Sequence, residues 1–290
     1  MVRELGIACY EAAFGTFRSL TVQQMAEFVE YHGRRTRRLD RDISEAIHVQ
    51  LGNYSNQISL ASAPEDDPVV TYFGEGTRRR YTRFDPLDGT DNALSGIPIS
   101  GFSMAITEET DKKPEDLVLG DFVNGFVGDM GRKRLFYKTT DNRPVGTDFN
   151  TEYQLRTSGI RNTRDGLICF DAFSPKSADK YDPQQLGELY TFLTREFRDL
   201  YRPRSAVFEA MSMLTPPSYE SYVVAYVAPK NKTENVVGSI PVVSSAGGIV
   251  SDFNGNPLTN HSIHERVDIV MAANRFVHEE VLKILERYRP

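Results

Sequence analysis

In Phe84-Asp85-Pro86-Leu87-Asp88-Gly89-Thr90-Asp91-Asn92 a strand-like run passes into a proline-fixed turn and then into a helical pattern. Two carboxylates stand three residues apart across that turn. Proline sets the local φ, and Gly89 permits a backbone conformation that other residues avoid close to a ligand. Asp85, Asp88 and the carbonyl of Leu87 can therefore aim at one point. Hard oxygen donors of this kind suit Mg²⁺, which is often shared with phosphate oxygens. Gly89 and Thr90 fall at a predicted helix N-terminus, where unpaired N–H groups favour an anion. The same residues also make an ordinary capped turn. On the residues of this stretch alone, both readings stand.

Outward from this stretch the pattern is mixed α and β. Upstream, Leu5, Ala8, Cys9, Ala12, Met25 and Phe28 recur near helical spacing, which predicts a helix over 3–31. Gly33 and Arg34-Arg35-Thr36-Arg37-Arg38 interrupt it, and this short basic run reads as a solvated turn. Asp40 opens a second helix carrying Ile43, Ile47, Val49 and Leu51, which ends before Pro64 and Glu65-Asp66-Asp67. Short β-like runs follow from Val69 to Phe73, Tyr81 to Phe84 and Phe102 to Ile106, with a further pair over 117–127 and 134–137. The polar stretch 141–151 is the predicted boundary between an N-terminal α+β subdomain (1–145) and a C-terminal α/β subdomain (146–290). Beyond it, strands are expected at 167–170, 222–227 and 268–272, and helices at 183–197, from 205, at 236–246 and from 277. Helices and strands with antiparallel hairpins imply a layered α/β protein.

The bulk numbers narrow the function. In 290 residues, 40% are hydrophobic and 26% charged, as in an ordinary globular protein. A net charge of −6 argues against a nucleic-acid partner, which usually meets a basic excess. The two cysteines, Cys9 and Cys169, have no metal-ligand spacing and read as buried small side chains in a reducing, cytoplasmic setting. His261 and His264 lack partners for a zinc pattern. No signal-peptide core and no apolar run long enough to span a bilayer is seen, so no membrane partner is expected.

The central segment resembles the D-P-[IL]-D-G-[TS] signature of the inositol monophosphatase and fructose-1,6-bisphosphatase superfamily. Gly96-Ile97-Pro98 and Phe102-Ser103-Met104-Ala105-Ile106 are similar to its archaeal-type members. So are Ile240-Pro241-Val242-Val243-Ser244-Ser245-Ala246-Gly247-Gly248, the following Ile249-Val250-Ser251-Asp252, and Asp268 to Asn274. The likeness covers nearly the whole chain, with a poor match over 107–200. It implies a layered αβαβα sugar-phosphatase fold, Mg²⁺ as cofactor (one to three ions), a small phosphorylated metabolite as substrate, and a homodimer. Asp85, the Leu87 carbonyl and Asp88 would hold metal, with Glu75 as the upstream acidic ligand. Gly89 and Thr90 would contact phosphate, Asp40 and Thr90 would position the attacking water, and Ser205 would precede a substrate-side helix.

The match breaks in places. Counting back from Ala246-Gly247-Gly248, Asn235 stands where the family carries a metal-binding Asp, and Glu234 beside it is the candidate replacement. Lys230 and Lys232 lie close by, as either ligands for a second phosphate or a solvated loop. Glu75 precedes Asp85 by ten residues, a shorter gap than in most relatives. The resemblance implies a Mg²⁺-dependent phosphatase for inositol monophosphate, fructose 1,6-bisphosphate or a similar ester. Two other readings are an impaired relative that binds a phosphorylated metabolite or protein partner, and an enzyme acting on the 3′-phosphate of an adenosine bisphosphate.

Overall fold

A computed structural model describes residues 1–31, 34–57, 59–64, 70–75, 78–171 and 182–287. His32, Gly33, Glu65-Asp66-Asp67 and Val69 lie outside them. The N-terminal part comprises helix α1 (Val2–Ser19), helix α2 (Val22–Ala26), the hairpin β1 (Phe28–Tyr31) and β2 (Arg34–Arg37), and helix α3 (Arg38–Asn53). The predicted single helix over 3–31 is thus divided. Thr21 and Gln24 form a capping box that starts α2 afresh. Phe28 to Tyr31 then pair antiparallel with the basic run. Arg37 and Arg35 lie 3.9 and 4.5 Å from the Phe28 ring centroid, so this run is strand rather than solvated turn.

The large sheet contains β3 (Leu60–Pro64), β4 (Thr71–Phe73), β5 (Arg80–Asp88), β6 (Gly101–Ile106), β7 (Asn124–Asp129), β8 (Arg134–Lys138), β9 (Val145–Thr147) and β10 (Glu152–Gln154). Its order is β10-β9-β8-β7-β6-β5-β3-β4, and helix α4 (Thr90–Leu94) follows β5 directly. The stretch predicted as a subdomain boundary falls at this sheet's last two strands. The two-residue strands β11 (Arg156–Thr157) and β14 (Leu214–Thr215) pair with each other. A five-stranded sheet, order β13-β12-β15-β17-β16, comprises β12 (Leu167–Phe170), β13 (Asp199–Tyr201), β15 (Val223–Lys232), β16 (Ile249–Ser251) and β17 (Arg266–Ala272). The remaining helices are α5 (Pro183–Glu196), α6 (Ala206–Met211), α7 (Thr233–Val237), α8 (Ser239–Ser245) and α9 (Arg275–Arg287).

Side-chain periodicity explains the layering. In α3, Ile43, Ile47 and Leu51 are four apart and fully buried, whereas Val49 falls on the opposite face and is exposed. With Leu5, Cys9 and Tyr10 of α1 they cover Phe84, Phe102, Met104 and Phe126 of the large sheet. Ala105 and Val127 point from the sheet's other face into a central layer built by α6, α7 and α8. Cys169, Tyr226, Ile269 and Met271 of the small sheet close that layer from beyond. Their neighbours Ile168, Val227 and Val270 point outward, under α5 and α9. This is the αβαβα arrangement. Each fully buried leucine or isoleucine contributes about 1.5–3 kcal/mol. Among the described residues no helix is long and apolar enough to cross a membrane.

Candidate active site

The site forms where β5 runs out. β5 and β6 pair in register from Thr82↔Ile106 to Asp85↔Ser103, and the ladder slips before Asp88↔Gly101. Pro86 has no N–H to offer, so an irregularity here is expected. The Leu87 N–H turns back to Asp85 Oδ1 at 2.9 Å instead. The result is a bulge that re-aims both carboxylates. Gly89 follows with φ 83°, and a Cβ there would stand 3.1 Å from both the Ile99 carbonyl and Ser205 Cβ. Glycine is required on both counts.

Three contacts from distant parts of the chain complete the site. Thr90 Oγ1 lies 3.3 Å from Asp40 Oδ1 in α3 and 3.0 Å from the Leu87 carbonyl. Ser205, the N-cap of α6, donates its hydroxyl to Asp88 Oδ2 at 2.7 Å, and the Val207 N–H donates to the same oxygen at 2.7 Å. Asn92 Nδ2 donates to the carbonyls of Ile99 and Pro203 at 2.9 and 2.7 Å, with Arg204 O at 3.4 Å. Asp85 and Asp88 are almost fully buried. The first-turn amides of Thr90 and Asp91 donate to no protein acceptor among the described residues.

The fourth side of the site is the α7 turn, which packs against β5. The Asn235 side-chain oxygen on this turn is buried and has no hydrogen-bond partner. A buried acceptor without a partner, on a turn packed against the strand that carries Asp85 and Asp88, is a candidate donor for a hard cation. Among the described residues no three Asp, Glu, His or Cys side chains converge as a metal cage. The donors Asp85, Leu87 O, Asp88 and the Asn235 amide therefore fit Mg²⁺ that keeps waters and shares substrate oxygens, its usual habit.

No protein-family model matches the sequence. The chain is 26% identical to a fructose-1,6-bisphosphatase/inositol-1-monophosphatase of Methanothermobacter thermautotrophicus, over 70% of this chain and 66% of that protein. It is 30% identical to the Nus factor SuhB of Pasteurella multocida, over 69% of this chain and 65% of the relative. The matched stretch thus spans just under two thirds of either relative. The fold matches that of the IMPase from Thermotoga maritima with a TM-score of 0.70 at 15% identity, covering 99% of this chain and 98% of that one. In sequence the chain is thus similar to proteins named fructose-1,6-bisphosphatase/inositol-1-monophosphatase and SuhB, and in fold to an inositol monophosphatase.

Not every sequence-predicted residue reaches the site. Glu75 does not. β3 runs parallel to β5 with Leu60 opposite Arg80 and Pro64 opposite Phe84, and β4 runs antiparallel with Phe73 opposite Leu60. Gly74 and Glu75 therefore leave the sheet at the end where β5 begins. Asp85 stands five residues along, about 17 Å at the usual strand rise, and Glu75 is exposed. The strand that ends beside Asp85 is β3.

Glu234 is also committed elsewhere. Its Oε1 accepts from Arg83 at 2.6 Å, and its Oε2 accepts from the Thr233 hydroxyl at 3.2 Å. This largely buried pair neutralises Glu234 and ties α7 to β5 two residues before Asp85. It does not supply the missing carboxylate. Lys230 is bound to Asp268 through both its N–H (2.9 Å) and its ammonium (3.0 Å). Lys232 immediately precedes α7. Asp40, Asp85, Leu87, Asp88, Gly89, Thr90 and Ser205 do come together.

The sequence reading overlooked Arg83, Asn92 and Glu209. Asn92 sits in the opening stretch and could have been suspected as a cap. Glu209 is an acid on the wholly buried α6, itself a signal of a dedicated partner. Its Oε1 accepts the Arg204 N–H at 3.1 Å. Burial, and then the neighbouring Asp171 and Asp88, push its carboxyl well above the usual range. A cavity of about 580 Å³ lined by Leu119, Phe122, Pro241 and Leu258 lies apart from all of these residues.

Proposed function

We propose that this protein is a Mg²⁺-dependent phosphatase acting on a small sugar or polyol phosphate. The carrying observation is the Thr90 hydroxyl, held between the Asp40 carboxylate and the Leu87 carbonyl beside the buried Asp85 and Asp88. A hydroxyl has one proton to donate and lone pairs to accept with. When Thr90 donates to Asp40, its Oγ1 can accept from a water poised to attack phosphorus. Asp40 then takes up the proton passed through Thr90, as general-base work requires.

The other residues orient the phosphate. The amides of Thr90 and Asp91 offer donors to its oxygens, and Gly89 lets the backbone come close. Ser205 and Val207 hold Asp88 in one rotamer, which keeps that donor in place. Asp85, Leu87 O, Asp88 and Asn235 would hold the magnesium. When bound, the metal polarises the phosphoryl group and lowers the pKa of water. The similarity to a protein named fructose-1,6-bisphosphatase/inositol-1-monophosphatase supports the substrate class.

Phosphate release from inositol 1-phosphate, fructose 1,6-bisphosphate and an adenosine bisphosphate, with and without Mg²⁺, tests this reading. Release that requires Mg²⁺ is expected. Folded protein that releases phosphate from none of them would overturn it.

One observation favours a second reading. Asn235, whose buried oxygen has no partner, carries no charge, and a relative is named as a Nus factor. A chain with weak metal affinity could serve as a binding protein for a phosphorylated metabolite or a protein partner. A large gain of phosphatase activity in Asn235→Asp would select this second reading.

A further inference from the structure

Four described residues other than glycine adopt a left-handed backbone, and one of them, Arg204 at φ 60°, adjoins the site. Its backbone is held from three directions. Glu209 Oε1 accepts its N–H at 3.1 Å, and the Asn92 amide reaches its carbonyl at 3.4 Å. The next residue, Ser205, donates to Asp88 at 2.7 Å. Asn92 and Asp88 both belong to the phosphate-binding stretch, so Arg204 is pinned at its rim.

A left-handed position strains any residue with a Cβ, and glycine would serve the backbone better. Strain of this kind clusters where a side chain has work to do. The Arg204 side chain is exposed, and its guanidinium has no hydrogen-bond or ion-pair partner among the described residues. Arg202, two residues earlier, is also exposed, and both arginines act electrostatically on the partly buried Asp171. A planar guanidinium presents paired donors that match phosphate oxygens.

We propose that Arg204 is a specificity-determining residue that binds a second phosphate on a substrate whose first phosphate sits at Asp85 to Thr90. The inference rests on the phosphatase reading for the first phosphate and narrows the substrate class to bisphosphorylated sugars or polyols. It moves the second-phosphate role from Lys230, which Asp268 already engages, to Arg204.

The matched pair of probes is fructose 1,6-bisphosphate and fructose 1-phosphate. Their dissociation constants are measured by calorimetry on the full chain with Ca²⁺ as a hard-cation stand-in, and kcat/KM is measured with Mg²⁺. The wild type is expected to prefer the bisphosphate about 10- to 100-fold, the worth of a charge-assisted contact. In R204G, which keeps the left-handed backbone without strain, that ratio falls to within about 3-fold. R204K, which keeps charge without the fork, gives an intermediate ratio. A wild-type ratio near one, no binding of either sugar, or a ratio unchanged in R204G overturns the inference. If Arg204 serves only Asp171, R204G lowers Tm and leaves the ratio alone, which also overturns it. Absence of phosphate release from both sugars defeats the phosphatase reading, while the binding ratio still decides the role of Arg204.

Discussion

The β5 end and the α7 turn face one another across the site and are built on opposite principles. At the β5 end, Asp85 and Asp88 are charged, buried and supplied with donors from Leu87, Ser205 and Val207. On the α7 turn the one acid, Glu234, is neutralised by Arg83, and the next residue, Asn235, is an amide whose buried oxygen has no partner. One wall is charged and pre-organised, and the other is neutral and unsatisfied. On the proposed reading, a cation here would draw most of its binding energy from the β5 side and the rest from substrate oxygens.

Asp85→Asn removes charge from the pre-organised wall, and phosphate release is expected to fall by about 10³-fold or more, as metal-assisted catalysis is lost. A steady-state assay at saturating Mg²⁺ measures it. A loss below about 10-fold would mean that the β5 end is not where the cation sits.

The next largest effect is on stability. Arg83→Met leaves Glu234 buried without its partner, at a cost of about 3 kcal/mol. Urea unfolding reads this as a lower midpoint at unchanged slope. Arg83→Met combined with Glu234→Met should recover most of the loss, since neither residue then leaves a bare charge.

Asn235→Asp sharpens the comparison by charging the neutral wall. Without metal the added carboxylate is repelled by Asp85 and Asp88, so Tm falls. With Mg²⁺ it should recover beyond the wild type, with affinity for Mg²⁺ raised about 10-fold, as when a single metal-shell group changes. Equal Mg²⁺-induced Tm shifts in both proteins would place Asn235 outside the metal shell.

The smallest effect lies away from the site and serves as a control. His278 in α9 is buried against Ser251, whose hydroxyl lies 2.7 Å from Nε2, and burial lowers its pKa. The unfolded chain then takes up a proton near pH 6.5, where the folded chain does not. Stability from this group is present above that pH and is lost as pH falls through the lowered folded value. His278→Gln should flatten the corresponding slope of stability against pH, read by urea unfolding across that range. It should leave Mg²⁺ dependence as it is.

The physical reach of each contact explains what was legible before the structure. The turn over 85–90 is made by neighbours: Leu87 bonds Asp85, Pro86 interrupts the ladder, and Gly89 takes its left-handed φ. Short-range rules cover such contacts, so this part of the site could be read directly. The layered class was readable too, because helical spacing in α3 reports which face is buried and short apolar runs such as β6 mark strands buried on both faces. Glu75 failed because its position depends on which strand pairs with which. Two antiparallel and parallel pairings, β4 with β3 and β3 with β5, carry it to the far end of the sheet.

The αβαβα class, the proline-fixed acidic turn over 85–90 and the neutral residue at 235 can be read from the sequence. Each is written in local spacing or in residue identity. Only the tertiary structure decided that Asp40 meets Thr90 across fifty positions, that Ser205 locks Asp88, that Glu234 belongs to Arg83, and that Arg204 stands strained at the rim. These partners are far apart along the chain. What joins them is the packing of α3, α6 and α7 against one end of β5, and pairing between sheets and helices leaves no signature in the spacing of any one segment.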